Sequence, residues 1–159
     1  MEPLLAAAGS NVRVPIKVDY GVRALLELAY ATEGEPVPTS VIASRQHMPE
    51  PYLDQVLAIL NRSGFVRSRR GPQGGHMLAK DPHEITLMMV METLEGHTPP
   101  LECISDPLEC SLSGACAQRG VWRGVEEAID RVLSATTIAD LVGIQREMHQ
   151  QEIAEARLS

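Results

Sequence analysis

The sequence predicts a mainly α-helical fold that carries one small β-hairpin, with a long helix in its C-terminal part. Three stretches before residue 64 place apolar residues at helical spacing, which indicates three amphipathic helices. Two short extended runs then flank the turn Gly-Pro-Gln-Gly-Gly at residues 71–75, which indicates a hairpin. Three helices followed by a hairpin form a winged helix-turn-helix.

The first helix is predicted over residues 19–31. Its apolar face carries Val22, Leu25, Leu26, Ala29 and Tyr30. The segment 33–38 interrupts it with a glycine and two prolines, after which Thr39 or Ser40 is expected to cap a short second helix that ends at Arg45.

The third helix begins near two prolines, since the first turn of a helix tolerates residues that lack an N–H. Pro49 and Pro51 occupy those positions, and Gly64 follows the last apolar residue as a terminator. The hairpin is predicted within residues 65–79. Thr86 then caps a fourth helix whose apolar face is Leu87, Val90, Met91 and Leu94.

The C-terminal third alternates an irregular segment with helices. Residues 101–118 show no sustained period, and Pro99, Pro100, Pro107 and Gly114 lie in or just before them, so they cannot bury much apolar surface by themselves. A long helix follows, marked by Val121, Val125, Ile129, Val132 and Leu133. Trp122 is placed at its start, and a last helix is predicted over residues 138–158.

Charge is distributed unevenly along the chain. The net charge of the 159 residues is −7, but residues 61–80 hold four arginines, one lysine and no acid. Beyond residue 94 the balance reverses to five arginines against eleven acids. A basic segment within an acidic chain is typical of a localised phosphate contact, although a solvated loop has the same composition.

Other function classes leave no sign in the sequence. The apolar stretches are shorter than a membrane span and no secretion signal is recognised, so we expect a cytoplasmic protein without a membrane partner. No phosphate loop, C-x-x-C pair or nucleophile–base arrangement is present, which disfavours an enzyme with a small-molecule substrate. Residues 1–12 are small and weakly patterned, as in a mobile arm.

The three cysteines lie close together in the irregular segment. Cys103, Cys110 and Cys116 have the spacing Cys-x6-Cys-x5-Cys, and their odd number disfavours a disulfide framework. Thiolates are soft ligands that suit an iron–sulfur cluster or zinc, and three of them leave a fourth position open. The spacing is wider than the C-x2-C pairs of structural zinc sites, which favours the cluster over zinc. Three unligated thiols remain the plain alternative.

Five short motifs together resemble the Rrf2 family of bacterial transcription regulators. They are residues 17–23 (Lys-Val-Asp-Tyr-Gly-Val-Arg), 51–55 (Pro-Tyr-Leu-Asp-Gln), 70–75 (Arg-Gly-Pro-Gln-Gly-Gly), 92–96 (Glu-Thr-Leu-Glu-Gly) and 138–142 (Ile-Ala-Asp-Leu-Val). The resemblance extends from about residue 13 to residue 142. It implies a winged DNA-binding domain over residues 13–96, a cluster loop over 97–119 and a homodimerisation helix with a C-terminal helix over 120–159.

The DNA-binding residues are expected on the third helix and on the hairpin. The major groove admits one α-helix, and side chains on its first turns reach base edges: Glu50, Tyr52, Asp54 and Gln55. Glutamine can pair with adenine, and a carboxylate can accept from the cytosine amino group. Phosphate or minor-groove contacts are expected from Arg62, Arg67, Arg69, Arg70 and His76. A solvated helix face and a soluble hairpin are the alternative interpretation. A two-fold dimer implies a palindromic duplex operator.

The resemblance also suggests the fourth ligand and the control. Arg119 stands where a cluster-assembly regulator of the family has a ligating histidine, whereas Asp19 matches an aspartate that a nitric-oxide-sensing member supplies from the partner subunit. An aspartate ligand leans towards a 4Fe-4S rather than a 2Fe-2S cluster. The alternative for Asp19 is a cap of the first helix. The resemblance therefore implies a repressor whose DNA affinity follows iron, redox state or nitric oxide. The alternatives are a cluster-free member controlled by a partner protein or by thiol oxidation, and a structural zinc site.

Overall fold

The computed structural model describes residues 13–156, without the side chain of Ser113. The helices and strands in this range are α1 (Ile16–Tyr30), α2 (Thr39–Gln46), α3 (Glu50–Arg62), β1 (Val66–Arg69), β2 (Gly75–Leu78), α4 (Leu87–Glu95), α5 (Glu102–Ser105), α6 (Ala117–Ala135) and α7 (Ile138–Ala156). The arrangement is mostly helical with one antiparallel hairpin, which confirms the predicted winged fold. The N-terminal arm predicted over residues 1–12 lies outside the described residues.

One apolar core holds the first four helices, the hairpin and the beginning of α7 together. Its fully buried large side chains are Leu25, Ile42, Leu53, Val56, Leu57, Leu60, Val66, Ile85, Val90 and Ile138. Most of these residues repeat at helical spacing on α1, α3 and α4, which is the pattern that predicted those helices. The start of α7 is tied in by two backbone bonds, from the N–H of Leu87 to Thr136 O and from the N–H of Ile138 to Ile85 O, each 2.9 Å long.

The hairpin is fastened to the chain that precedes α2. Val66 pairs with Leu78 and Arg69 with Gly75, while the other edge of β2 makes a short bridge between His76 and Val37. That bridge has both backbone bonds, at 2.9 and 2.8 Å. Gly75 has φ +151°, and a Cβ at this position would lie 2.5 Å from the carbonyl carbon and oxygen of Val37. Only glycine permits this close approach.

The alternative role of Asp19 as a helix cap and the expected cap of the second helix are both wrong. Helix α1 begins at Ile16, so Asp19 lies inside its first turn and caps nothing. Helix α2 is preceded by Pro38 and shows no side-chain cap, which leaves the Thr39 hydroxyl to bond elsewhere. In both cases a proline in extended conformation starts the helix. The cap by Thr86 is confirmed, since its hydroxyl accepts the N–H of Met89 at 3.2 Å.

After α4 the chain has little regular structure until α6 begins. Between α4 and α6 the chain forms only α5 and two single 3-10 turns, Pro107–Glu109 and Ser113–Ala115. Helix α6 begins at Ala117, so Trp122 lies in its second turn and not at its start. The last helix starts at Ile138 as predicted, and its expected end at residue 158 lies outside the described range. No helix between residues 13 and 156 is long and apolar enough to cross a membrane.

Candidate DNA interface and cysteine segment

The first turns of α3 present polar side chains to solvent. Glu50, Asp54 and Gln55 are exposed, while the opposite side of the helix is buried in the core. Tyr52 is half-buried, and its ring meets that of Tyr20 edge-on with centroids 5.5 Å apart. Three of the four residues expected to reach bases therefore share the outer surface of α3, and the fourth joins α3 to α1.

The arginines of the hairpin are exposed on β1 and at the turn that follows it. Residues alternate across a strand, so Arg67 and Arg69 lie on the face of β1 opposite to Ser68. Arg67 lines a cavity of about 580 Å³ between the end of α1 and the hairpin, together with Glu33. Arg69 donates to the carbonyl of the turn residue Gln73 at 3.3 Å, so it lies with Arg70 at the tip of the hairpin. The hairpin thus presents exposed positive charge along β1 as well as at its tip.

A row of four polar side chains joins the hairpin to α3 and α2. Asn61 Nδ2 donates to Ser68 Oγ at 2.8 Å, and Ser68 Oγ lies 2.9 Å from His76 Nδ1. His76 Nε2 lies 3.0 Å from the Thr39 hydroxyl. Burial lowers the pKa of His76, and the Asp54 carboxylate partly opposes this shift. At neutral pH the imidazole is therefore uncharged, with one nitrogen donating and the other accepting.

Arg23 connects Asp19 to the turn before the recognition helix. One terminal nitrogen of Arg23 donates to the Asp19 carboxylate and the other to the Gln46 carbonyl, both at 2.9 Å. Gln46 ends α2, and the next residue, His47, has the left-handed φ of +52° that starts the turn into α3. The partner of Asp19 is thus one side chain away from the helix-turn-helix junction.

The three cysteines lie in or directly after short helical turns between α4 and α6. Cys103 is in α5, Cys110 follows the first 3-10 turn, and Cys116 directly precedes α6. All three are free and half-buried. Arg119 Nε donates to the Cys103 carbonyl at 2.8 Å, and the same arginine lines a shallow cavity of about 310 Å³ beside Cys116.

The donor set of this segment suits an iron–sulfur cluster, although its thiols are not gathered. Among residues 13–156, no three His, Cys, Asp or Glu side chains are arranged to hold a metal ion. Three free thiols within fourteen residues still have the right chemistry for iron. Only single helical turns separate them, so no rigid element keeps them apart. Binding would require the segment to close around the metal, as metal sites in short loops commonly do.

Comparison with known proteins gives the family. Residues 15–144 match the family model Rrf2, described as an iron-dependent transcriptional regulator. The chain belongs to the Rrf2 family. It is 33% identical over 134 residues to the transcriptional regulator IscR of Serratia proteamaculans, covering 84% of this chain and 81% of that protein. This confirms the resemblance that the five motifs carry.

Two solved structures share the fold closely. The global cysteine regulator CymR of B. subtilis matches with a TM-score of 0.71 and 31% identity, over 84% of this chain and 98% of that one. IscR of T. potens matches with a TM-score of 0.71 and 33% identity, over 87% and 91% of the two chains. The protein is therefore a DNA-binding transcription regulator and, as predicted, its relatives are not enzymes.

Two parts of the site were not found from the sequence. Arg23 does carry a signal, because it stands four residues after Asp19 and an acid and a base at this spacing meet on one helix face. The row from Asn61 to Thr39 has no such signal, since His76 and Thr39 are 37 residues apart. Only the tertiary fold brings these two residues together.

Proposed function

We propose that this Rrf2 regulator is a homodimeric repressor whose affinity for a palindromic operator is controlled by an iron–sulfur cluster at Cys103, Cys110 and Cys116. One observation carries the proposal: three free, half-buried thiols occupy the segment that joins the winged head (residues 13–96) to α6. When bound, such a cluster supplies a centre that responds to iron supply, redox state or nitric oxide. By analogy with the aspartate-ligated member of the family, 4Fe-4S is favoured over 2Fe-2S.

The reading of DNA is assigned to the outer face of α3 and to the tip of the hairpin. Glu50, Asp54 and Gln55 are exposed on the first turns of α3, where a helix in the major groove meets base edges. Tyr52 supports this face from behind through Tyr20. Phosphate contacts are assigned to the exposed basic side chains around the groove, namely Arg62, Arg67, Arg69 and Arg70.

Dimerisation is assigned to α6. This helix of 19 residues has no buried side chain in the single chain. Val121 and Val132 are 67% and 62% exposed, and Trp122 is 43% exposed. A second copy of α6 would cover this apolar surface, as expected for the interface of an obligate dimer.

The fourth ligand is proposed to be Asp19 from the partner subunit. In the single chain its side chain is 47% exposed and its carboxylate is held by Arg23. Arg23 also holds the Gln46 carbonyl at the end of α2. If Asp19 left Arg23 to bind iron held by the other subunit, the contacts of Arg23 at the helix-turn-helix junction would change. Such a change provides the two-state element that a switch requires.

The test is anaerobic reconstitution of the full chain with ferrous iron and sulfide, followed by absorption spectroscopy and by iron and sulfide counts. DNA affinity is measured with a labelled duplex that the chain itself selects from a randomised pool. We expect a visible chromophore and a changed affinity. Replacement of all three cysteines by serine should abolish both effects, whereas Ser105→Ala with Ser111→Ala in the same segment should leave both intact. A chain that never takes up a chromophore, or whose affinity ignores it, contradicts cluster control.

A second candidate function is control by thiol oxidation without a cluster. Two observations favour it: the described cysteines are not gathered into a metal site, and the fold matches CymR as well as it matches IscR. Half-exposed thiols are open to reversible oxidation. In this case a mild thiol oxidant would change the DNA affinity of iron-free protein, and a reductant would restore it. The triple cysteine-to-serine variant would not respond.

A further inference from the structure

We propose that His76 is a positioning residue that fixes the hairpin against α3 and α2, so that the recognition helix and the hairpin tip hold DNA as one rigid unit. The inference rests on the DNA contacts assigned above to α3 and to the hairpin. It concerns no ligand of the cysteine segment and does not depend on cluster binding.

At the side chain of His76, polar contacts join β1, β2 and α2. Its Nδ1 lies 2.9 Å from Ser68 Oγ, which in turn accepts from Asn61 of α3 at 2.8 Å. Its Nε2 lies 3.0 Å from the Thr39 hydroxyl in the first turn of α2. The row therefore runs from the recognition helix through both strands of the hairpin to α2.

One direction of donation satisfies every member of this row, and the proposal adopts it. Because Asn61 donates to Ser68 Oγ, the hydroxyl hydrogen of Ser68 is free to go to His76 Nδ1. The ring proton then lies on Nε2 and is donated to Thr39 Oγ1. This arrangement requires a neutral imidazole, and burial, which lowers the pKa of His76, favours that form.

The charged groups near the ring of His76 do not hold it through an ion pair. Asp54 and Arg62 of α3 line the same groove of about 350 Å³ as His76. Arg67 and Arg69 flank Ser68 but lie on the other face of β1. The first turn of α2, residues 39–42, holds no titratable side chain. Hydrogen bonds to Ser68 and Thr39, rather than an ion pair, thus hold the ring.

Loss of the ring should loosen the hairpin without unfolding the head. The backbone of His76 pairs with Val37 through its own N–H and carbonyl, and these bonds do not depend on the side chain. The hairpin would stay attached by its strands, but its angle to the recognition helix would no longer be fixed. DNA binding would then have to fix the hairpin relative to α3, which costs conformational entropy and lowers the affinity.

The experiment compares three substitutions in the full-length chain. His76→Phe removes both polar contacts, His76→Asn keeps an amide near Ser68, and His76→Gln keeps one that can reach Thr39. Binding is measured by fluorescence anisotropy on the duplex selected by the wild-type chain. We expect about a 10-fold loss for His76→Phe and roughly 3-fold losses for the two amides, as for one or two neutral hydrogen bonds. Met77→Leu, on the other face of β2, is the control and should bind normally.

Two further readouts separate positioning from folding. Nitrogen NMR of the free protein should show a protonated Nε2 and an unprotonated Nδ1, and thermal melting should show that all variants fold. Thr39→Val and Ser68→Ala remove the partners instead, which keeps the test open if phenylalanine is not accommodated. In the His76→Phe background, Thr39→Val should cost no further affinity.

The outcomes distinguish this inference from the function on which it rests. Wild-type protein that selects no duplex contradicts the assigned DNA contacts, and the inference falls with them. Wild-type protein that binds its duplex no better than a folded His76→Phe variant overturns the inference alone. The opposite tautomer at His76 would also contradict the proposed direction of the row.

Discussion

The winged head and the region 97–135 differ in how they obtain their order. The head encloses side chains such as Leu25, Leu57 and Ile85 with no measurable exposure. In the region 97–135, by contrast, none of the described side chains is buried. Two of its large apolar residues face solvent instead, Leu108 at 93% and Leu112 at 71% exposure.

This difference shows which part of the molecule is complete as a single chain. Burial of apolar surface is the main favourable term in folding, so the head can hold its own structure. The described side chains of the region 97–135 are not buried, and under the proposed function this region gains order from what it binds, a metal at the thiols or a second copy of α6. The proposed control by a cluster would benefit from this arrangement, because the segment that responds to the cluster is not held in place by a core.

The largest expected contrast is in amide hydrogen exchange of the metal-free protein. Amides in the middle of α3 should exchange only on global unfolding, whereas those of residues 102–116 should exchange through local opening, roughly 1,000-fold faster or more. Reconstitution with iron and sulfide should slow exchange in 102–116 and leave α3 unchanged. The triple cysteine-to-serine variant, treated in the same way, serves as the control. Strong protection of 102–116 without metal would contradict the contrast.

A matched pair of leucine truncations tests the same contrast through stability. Leu57→Ala removes a side chain with 0% exposure from the head, and we expect a loss of about 2–5 kcal/mol in the free energy of unfolding. Leu108→Ala removes one with 93% exposure and should change it by less than about 0.5 kcal/mol. Denaturant unfolding of the metal-free chain measures both. Similar losses would mean that Leu108 is enclosed in an apolar core.

The same contrast explains how much the sequence predicts. Apolar periodicity locates α1, α3, α4 and α7 because each of them contributes side chains to one core. The starts of α1 and α2 are predicted less accurately, because a proline rather than a polar cap precedes each of these helices. The segment 101–116 shows no sustained apolar period, so its cysteine spacing predicts a ligand type but no arrangement of the thiols.

The residues of the proposed DNA interface also differ in how well the sequence predicts their positions and contacts. The outward positions of α3 follow from helical geometry once its buried side is known, which is why Asp54 and Gln55 could be named. The contacts of His76 could not, because they join residues brought together only by the packing of the hairpin on α2 and α3. Sequence reasoning finds faces of single elements more readily than polar contacts between elements.

Acid titration should expose a weakness in the head at His76. Burial lowers the pKa of this residue from 6.5, so the unfolded chain binds the proton more tightly than the folded chain does. Its contribution to stability is therefore complete above pH 6.5 and declines as the pH falls below that value. We expect the melting temperature of the wild-type head to decrease in this range more than that of His76→Gln. Identical pH profiles for the two proteins would contradict the lowered pKa.

The smallest expected effect lies at the seam between α6 and α7. The Asp140 carboxylate accepts from the N–H and the hydroxyl of Thr137, both at 2.8 Å, and these bonds hold its pKa below 3.8. Its contribution is thus present above pH 3.8 and is lost as the pH falls through the lowered value. Asp140→Asn should lower the melting temperature slightly at neutral pH, and the difference should vanish in strong acid.

Asp106 provides the matched control for that substitution within the region 97–135. Its carboxylate accepts the N–H of Leu108 at 2.9 Å and starts a single 3-10 turn, much as Asp140 fastens the first turn of α7. Because α7 begins in the core of the head and the 3-10 turn does not, Asp106→Asn should leave the melting temperature of metal-free protein unchanged. Equal losses from the two substitutions would show that the cooperative unit extends through the cysteine segment. The head would then not be stable independently of that segment.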